Sequence, residues 1–448
     1  MKQQILETQP LVLNRTLTTK NLVIFGMMTM APLAPFQVFG SVAHASYGMV
    51  PLVYLIGAFL MFFTALSYAK FSREFPYAGS IYTYVGRGVN PHVGFLAGWV
   101  ILSDYLLAPA LMCLFASTWL TGIFPNINVV ALAIVFIFIT GFINIRGVKL
   151  NAGVNTALFW LQIASIVVFI GFLVKFVFID GLGFGGFSME PIFQAEYVNL
   201  NFIATATSMI LLGFVGFDGI STLAEETKEP RTMVGKATVV ALISAAGIFF
   251  IQTYLAALAE RNYMGLDPDM ALFEIAKAVG GEWFYVVMIF INVIAVGLVV
   301  TLNIQSSVGR VLFSMGRDNM LFGSKFLGKL SKYQTPMNAI IVSMVLSIII
   351  ILALDLNTVL MFINFGAVTA FGAINLAVIV YFFFKKKDKQ IFRSLIAPLI
   401  GFGVCAFVWS GFDNATILVG LSWLGVGVIL GFIKSKGYKE KPADLNGM

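Results

Sequence analysis

The chain has 448 residues, of which 59% are hydrophobic and only 11% are charged, and its formal net charge is +7. Soluble domains carry about 25% charged residues, so this composition excludes an ordinary soluble globular protein. The mean hydropathy of +0.93 predicts instead an all-α integral membrane protein that crosses the bilayer many times.

Apolar runs of about 20 residues are long enough to span the hydrocarbon of a bilayer, and the sequence suggests a series of them. We predict twelve spans at residues 21–43, 49–71, 93–120, 127–145, 154–178, 200–223, 234–258, 283–312, 337–355, 358–384, 393–411 and 414–433. This divides the chain into a tail at 1–18, a membrane domain at 19–433 and a basic tail at 434–448. The first twenty residues lack the apolar core of a cleavable signal peptide.

The positive charge follows the predicted topology. If the N-terminus is cytoplasmic, Lys175, Arg261 and Lys277 lie outside, and the other 25 of the 28 Lys and Arg residues lie inside (28 − 3). This is the positive-inside rule. We therefore expect a multi-pass protein of the plasma (bacterial inner) membrane with both termini cytoplasmic, and the charge gives no evidence for a nucleic-acid partner.

Two of the predicted spans contain residues that interrupt a helix. The first carries Pro32 and Pro35, and the sixth carries three glycines, at 213, 216 and 219, around Asp218. Interrupted helices expose backbone groups to a solute near the middle of a membrane. Because the breaks are five spans apart, we predict an inverted repeat of five plus five helices, followed by helices eleven and twelve.

Deep carboxylates are costly in a membrane and usually serve a function. Asp218 is one, and Asp104 is another, about halfway along span three and roughly 15 Å from either end at ~1.5 Å per residue. The first break offers few N–H groups to a substrate carboxylate, because Pro32 and Pro35 have none. This favours a cationic substrate at the break around Pro35.

Each of these residues also has a purely structural interpretation. Asp218 would cap the second half of its broken helix, and Asp104 would bond locally to Ser103 or Tyr105 or carry a proton. Four aromatic residues are candidate walls of the site with ring faces for a cation, although packing is the simpler explanation: Trp99, Tyr105, Phe214 and Phe217.

Charged residues at the cytoplasmic end of span six suggest a gate. Glu225 and Glu226 are close in sequence to Lys228 and Arg231, and Arg310 follows at the end of span eight with Arg317. We expect an ion-pair network that closes the inward side, with Glu225, Glu226 and Arg310 as gating residues.

Three motifs resemble the amino acid, polyamine and organocation (APC) transporter family. They are Phe217-Asp-Gly-Ile-Ser-Thr-Leu-Ala-Glu-Glu-Thr227 with Pro230-Arg231, Phe75-Pro-Tyr-Ala-Gly-Ser-Ile-Tyr-Thr-Tyr84, and Arg310 with Met315-Gly-Arg-Asp318. The resemblance implies the LeuT-like fold, alternating access, and a substrate cavity between helices one, three, six, eight and ten.

Other segments resemble the bacterial putrescine importers within that family. They are Phe63 to Lys70, Gly94 to Trp99, Leu102 to Pro109 and Ile363 to Phe371. With helices three and six facing one cavity, Asp104 and Asp218 would each neutralise one ammonium of putrescine, whose ends are roughly 6 Å apart when extended. We therefore expect a secondary active importer of a polyamine.

The coupling ion is predicted from fewer residues. Some proton-coupled relatives carry a lysine in helix five, and the matching residue here is Gln162, which does not titrate. Protons would then have to be carried by Asp104, Asp218 or Glu226. Sodium is the alternative, with Ser306 and Ser307 as ligands.

Three other functions are compatible with parts of the sequence. An amino acid permease for a cationic or neutral amino acid is the main alternative. A membrane-embedded enzyme would need a convergent nucleophile and base or a metal cluster, which the sequence with two His and two Cys does not suggest; no cofactor or metal is expected. A sensor that binds without transport is the third.

Overall fold

The computed structural model describes residues 15–439, apart from 122, 125, 319, 320, 322, 355 and 413. The predicted tails at 1–14 and 440–448 lie outside the described residues. The described part is helical, with these elements: α1 (Thr19–Met30), α2 (Pro35–Ala45), α3 (Val50–Glu74), α4 (Ser80–Gly88), α5 (Pro91–Thr121), α6 (Val129–Arg146), α7 (Val148–Val174), α8 (Leu200–Phe214), a 3₁₀-helix (Phe217–Glu226), α9 (Pro230–Ala259), α10 (Ala271–Val293), α11 (Thr301–Arg317), α12 (Ser324–Leu327), α13 (Met337–Ala353), α14 (Leu356–Val378), α15 (Ala397–Trp409) and α16 (Asn414–Lys434).

Nine helical segments of the described chain are long and apolar enough to cross a membrane, and α1 with α2 makes a tenth as a bent pair. The chain is therefore a multi-pass membrane protein, as its composition predicted. Two further apolar helices fall at the predicted sixth and ninth spans but are shorter, at Phe202–Leu211 and Met337–Ala353. The exact count of twelve spans stays a prediction.

The break in the first span has the expected cause. Pro35 is the first residue of α2, and α1 and α2 meet at 50°. Ala31, at the end of α1, has a φ of 54°, which an L-residue adopts at a cost. The Phe36 N–H donates to the Leu33 carbonyl at 3.0 Å, so the Pro32 carbonyl is left without its helical donor.

The break in the sixth span lies against the first. α8 ends at Phe214, Val215 is extended, and Gly216 has a φ of 123°, a conformation open to glycine. A Cβ added to Gly216 would lie 2.7 Å from the Thr29 Cγ2. Glycine is therefore required both for the turn and for the close approach of α1.

Two features between the predicted spans differ from the sequence prediction. α4 is an additional short helix after the Phe75–Tyr77 segment. α10 begins at Ala271, ahead of the predicted eighth span, but a kink at Gly281, where φ is 79°, divides it two residues before that span begins at 283. The α10 helix continues through a wide turn at Ile294–Val300 into α11.

The two breaks lie at the centre of the helix bundle, beside several long helices. α1 packs against the 3₁₀-helix, α9 and α11, and α5 packs against α11 and α14. Pocket-lining residues from α1, α2, α5, α8 and α11 or its preceding turn meet there. The fold thereby brings span three and both broken spans to one cavity.

Candidate functional site

A small cavity lies where the two broken helices meet α5. Most of its lining residues are apolar, and three are polar. The lining consists of Thr29, Met30, Ala31, Ala34, Gln37, Asp104, Ala108, Met112, Gly213, Val215, Val300 and Ile304.

Asp104 is the acidic residue among these lining side chains. It is 1% exposed, and its Oδ2 has no hydrogen-bond partner among the described residues. A buried carboxylate without a donor is expensive. A cation or proton at this position would offset that cost.

Asp218 is placed differently. It lies in the first turn of the 3₁₀-helix, and its Oδ1 accepts the Gly216 N–H at 3.2 Å. The Tyr105 hydroxyl donates a short hydrogen bond to its Oδ2. Asp218 is fully buried and is not among the residues that line the cavity. It is linked to α5 through Tyr105, the residue that follows Asp104 in the chain.

The other predicted wall residues are packed within the protein in this conformation. The indole N–H of Trp99 donates to the Trp423 carbonyl at 2.9 Å. Phe214 lies against Tyr54 and Phe249. None of Trp99, Phe214, Phe217 and Pro35 is a lining residue of the cavity. Their contact with substrate stays a prediction.

Phe217 and Pro35 frame the breaks. Phe217 is fully buried and its ring packs against Tyr68 and Phe371, with centroids 5.8 Å and 5.4 Å away. Pro35 begins α2, as described above. Both residues therefore fix the shape of the backbone around the cavity.

The predicted gating acids form ion pairs with arginines of α11. Glu226 pairs with Arg310, and the two side chains are 5% and 6% exposed. Arg310 also donates to the Ser306 hydroxyl. Glu225 accepts two hydrogen bonds of 3.2 Å from Arg317. The sequence neighbours Lys228 and Arg231 are not the partners in these pairs.

The chain before α1 is attached to the same end of the sixth span. The N–H groups of Thr16 and Leu17 donate to the Glu226 carbonyl at 2.9 Å and 3.0 Å, and Lys228 donates back to the Leu17 carbonyl at 3.1 Å. Leu17 and Thr227 thereby form a parallel bridge. The predicted cytoplasmic ends of the two broken spans are joined by backbone hydrogen bonds.

The residues predicted to mark the coupling ion have protein partners. The Gln162 amide donates to the Met28 sulfur at 3.6 Å. Ser306 accepts from Arg310, and Ser307 donates to the Asn303 carbonyl at 3.1 Å. These contacts place Gln162 against α1 and place both serines within helix packing.

Two buried glutamines near the first break were not singled out from the sequence. Gln37 lines the cavity. Gln252 on α9 donates to the freed Pro32 carbonyl at 2.9 Å. In the sequence, each of these glutamines is a polar amide inside an otherwise apolar span. Gln37 also follows Pro35 by two residues, which places it at the first break.

A bundle of membrane-crossing helices with two interrupted spans around a buried carboxylate is the architecture of a secondary transporter. The family model described as amino acid permease matches residues 17–436. The chain therefore belongs to the amino acid permease family of APC transporters, which has the LeuT-like fold. It is a transporter and not an enzyme.

The chain is similar to characterised transporters along nearly its whole length. It is 34% identical to the low-affinity putrescine importer PlaP of Escherichia coli, over 97% of this chain and 96% of that protein. It is 23% identical to the branched-chain amino acid permease BcaP of Bacillus subtilis, over 96% and 94%. It is also 23% identical to the methylthioribose transporter of Bacillus subtilis, over 95% and 94%.

Proposed function

We propose that this protein imports a small alkyl diamine, putrescine in the first place, across the plasma membrane by alternating access. The observation that carries the proposal is the Asp104 carboxylate, which lines an otherwise largely apolar cavity without a donor from the described protein. One ammonium group of the diamine binds there. The 34% identity to a putrescine importer supports this substrate class.

Asp218 supplies the second negative charge of the site. Its carboxylate binds the hydroxyl of Tyr105, the residue next to Asp104 in the chain. Two carboxylates and a dication sum to zero charge, which lowers the cost of holding them in a medium of low dielectric constant. Direct contact of Asp218 with an ammonium group requires the Tyr105 hydroxyl to move aside.

The first break favours an amine over an amino acid. The N–H groups of Ala34, Phe36 and Gln37 donate to the carbonyls of residues 31, 33 and 34, and Pro32 and Pro35 have no N–H. These groups are therefore not available to a substrate carboxylate. The similarity to amino acid permeases keeps an amino acid as the second candidate substrate.

Import is coupled to protons in this proposal. Gln162 does not titrate, and Glu226 is paired with Arg310. This leaves Asp104 and Asp218 as proton carriers. The charge distribution of the sequence supports cytoplasmic termini, and the Glu225 and Glu226 ion pairs close the inward gate.

The test is uptake of radiolabelled putrescine by the purified full-length chain in proteoliposomes under imposed proton and sodium gradients. We expect proton-driven uptake that Asp104→Asn abolishes, with competition by diamines and little by arginine, lysine or leucine. Uptake of leucine or arginine in place of putrescine would establish the amino acid permease instead. Sodium-dependent uptake of putrescine that resists a protonophore would refute proton coupling but not the proposed substrate.

A further inference from the structure

Gln37 lies in the first turn of α2 and lines the same cavity as Asp104. The residue is 8% exposed, and no hydrogen bond links its amide to any described residue. The amide therefore keeps its hydrogen-bonding capacity for a solute or for water in the cavity.

Thr29 is the third polar residue of the cavity wall. Its hydroxyl proton is used within α1, because it donates to the Phe25 carbonyl at 2.7 Å. The remaining lining residues are apolar or glycine: Met30, Ala31, Ala34, Ala108, Met112, Gly213, Val215, Val300 and Ile304. Such a wall suits the methylene chain of an aliphatic solute, with its polar ends at Asp104 and Gln37.

We propose that Gln37 is the residue that selects the length of the substrate: its carboxamide oxygen accepts a hydrogen bond from the distal ammonium while Asp104 binds the proximal one. This inference rests on the proposed function and adds the ligand of the second amine. A neutral amide is a weaker ligand for ammonium than a carboxylate. In this proposal the site recognises the distal amine mainly by the length of the methylene chain between the two ammonium groups, and less by the distal charge.

Shortening the acceptor provides a test that impaired folding does not mimic. Gln37→Asn withdraws the amide by one methylene, about 1.5 Å. We expect the preferred competitor of labelled putrescine to change from putrescine to the diamine with one more methylene, cadaverine. Since a hydrogen bond to a charged group contributes about 1.5 to 3 kcal/mol, the ratio of the two inhibition constants is expected to change by about tenfold or more.

A second variant removes the acceptor. Gln37→Leu is similar in size, and we expect it to weaken inhibition by putrescine about tenfold and to leave inhibition by butylamine, which has no distal ammonium, unchanged. Gln390→Asn, at an exposed glutamine, is the matched control and keeps the parent profile. All inhibition constants are measured with the full-length chain in proteoliposomes.

The outcomes separate this inference from the proposed function. If the parent neither binds nor imports any diamine, the proposed function fails. If the parent imports putrescine and both Gln37 variants retain its order of preference among putrescine, cadaverine and butylamine, the assignment of Gln37 is wrong. A shift toward cadaverine in Gln37→Asn, with an unchanged profile in Gln390→Asn, supports it.

Discussion

The hydroxyl of Tyr105 donates a hydrogen bond to the Asp218 carboxylate and so connects α5 to the start of the second half of the sixth span. The bond is buried, and Asp104 is the preceding residue of the same helix. Any movement of the sixth span past α5 has to keep this bond or exchange it for another.

A double-mutant cycle measures that connection. We expect Tyr105→Phe and Asp218→Ala each to lower the free energy of unfolding. The double variant is expected to lose less than the sum of the two single losses, by about 1 to 3 kcal/mol, because both single variants remove the same bond. Thermal unfolding in detergent provides the measurement. Tyr54→Phe is the matched control, since the buried Tyr54 hydroxyl has no partner; additive single costs would show that the bond contributes nothing.

A substitution at Trp99 distinguishes a packing role from contact with the substrate. Its ring stacks on Trp423 with centroids 4.5 Å apart, and each indole N–H donates to the other residue's carbonyl at 2.9 Å. Trp99→Phe loses one of these bonds and part of the stack, so we expect about 1 to 3 kcal/mol lower stability with an unchanged KM for putrescine. A raised KM at unchanged stability would instead place Trp99 in the binding site.

The buried ion pair predicts unequal effects at the gate. Glu226→Gln leaves the Arg310 charge buried without its carboxylate, which costs about 3 to 5 kcal/mol. Glu225→Gln affects a pair whose side chains are 13% and 17% exposed, and we expect a smaller cost of about 1 to 3 kcal/mol. Thermal unfolding of both variants checks the order. Equal stability of Glu226→Gln and the parent would contradict a structural role for the pair.

Combining changes at both partners sharpens the gate experiment. Glu226→Gln with Arg310→Met removes both charges, and we expect it to recover a large part of the stability that Glu226→Gln loses. If the double variant is no more stable than Glu226→Gln, the loss does not come from the unpaired arginine. Transport by the stable double variant then reports how far the gate needs the ion pair.

An ion pair in the loop after Lys385 predicts that part of the protein's stability is lost at acid pH. The Lys70 ammonium donates to Asp388 at 2.7 Å, and this bond, with the Gln390 N–H and the Ser394 hydroxyl, lowers the pKa of Asp388 to about 2. Because the pKa is lowered in the folded state, the stabilisation is complete above the unfolded pKa of about 3.9. It is lost as the pH falls from about 4 to 2.

The effect is measured as the melting temperature between pH 6 and pH 2.5. We expect the difference between the parent and Asp388→Asn to be present at pH 6 and to shrink at the acid end. The pair is partly solvated, so its contribution is at most about 1 kcal/mol. A difference that grows on acidification would have the wrong sign for a lowered pKa.

The main features of the fold could be predicted from the sequence because a bilayer restricts the choices. Twenty apolar residues need a helix, and proline and glycine mark the breaks at Pro35 and Gly216. The helical segment from Ala271 to the kink at Gly281 was not predicted, although the predicted eighth span begins two residues after that kink. Hydropathy alone does not separate a lipid-facing helix from an apolar segment packed on protein.

The candidate site was harder to predict because it depends on contacts between distant segments. The sequence identified Asp104 and Asp218 but could not indicate that Tyr105 binds one of them, since these residues are 113 positions apart. It suggested an ion-pair network with Arg310 and Arg317 at the gate but could not assign each acid to its arginine. Those pairs join residues that are close in space and far apart along the chain. Gln37 was missed because an uncharged side chain stands out less in an apolar run.

The backbone bridge between Leu17 and Thr227 has a mechanical consequence. It fastens the start of α1 to the end of the 3₁₀-helix, so a displacement of either half-helix is transmitted to the other through backbone hydrogen bonds. We therefore expect spectroscopic labels on α1 and on the 3₁₀-helix to report correlated displacements.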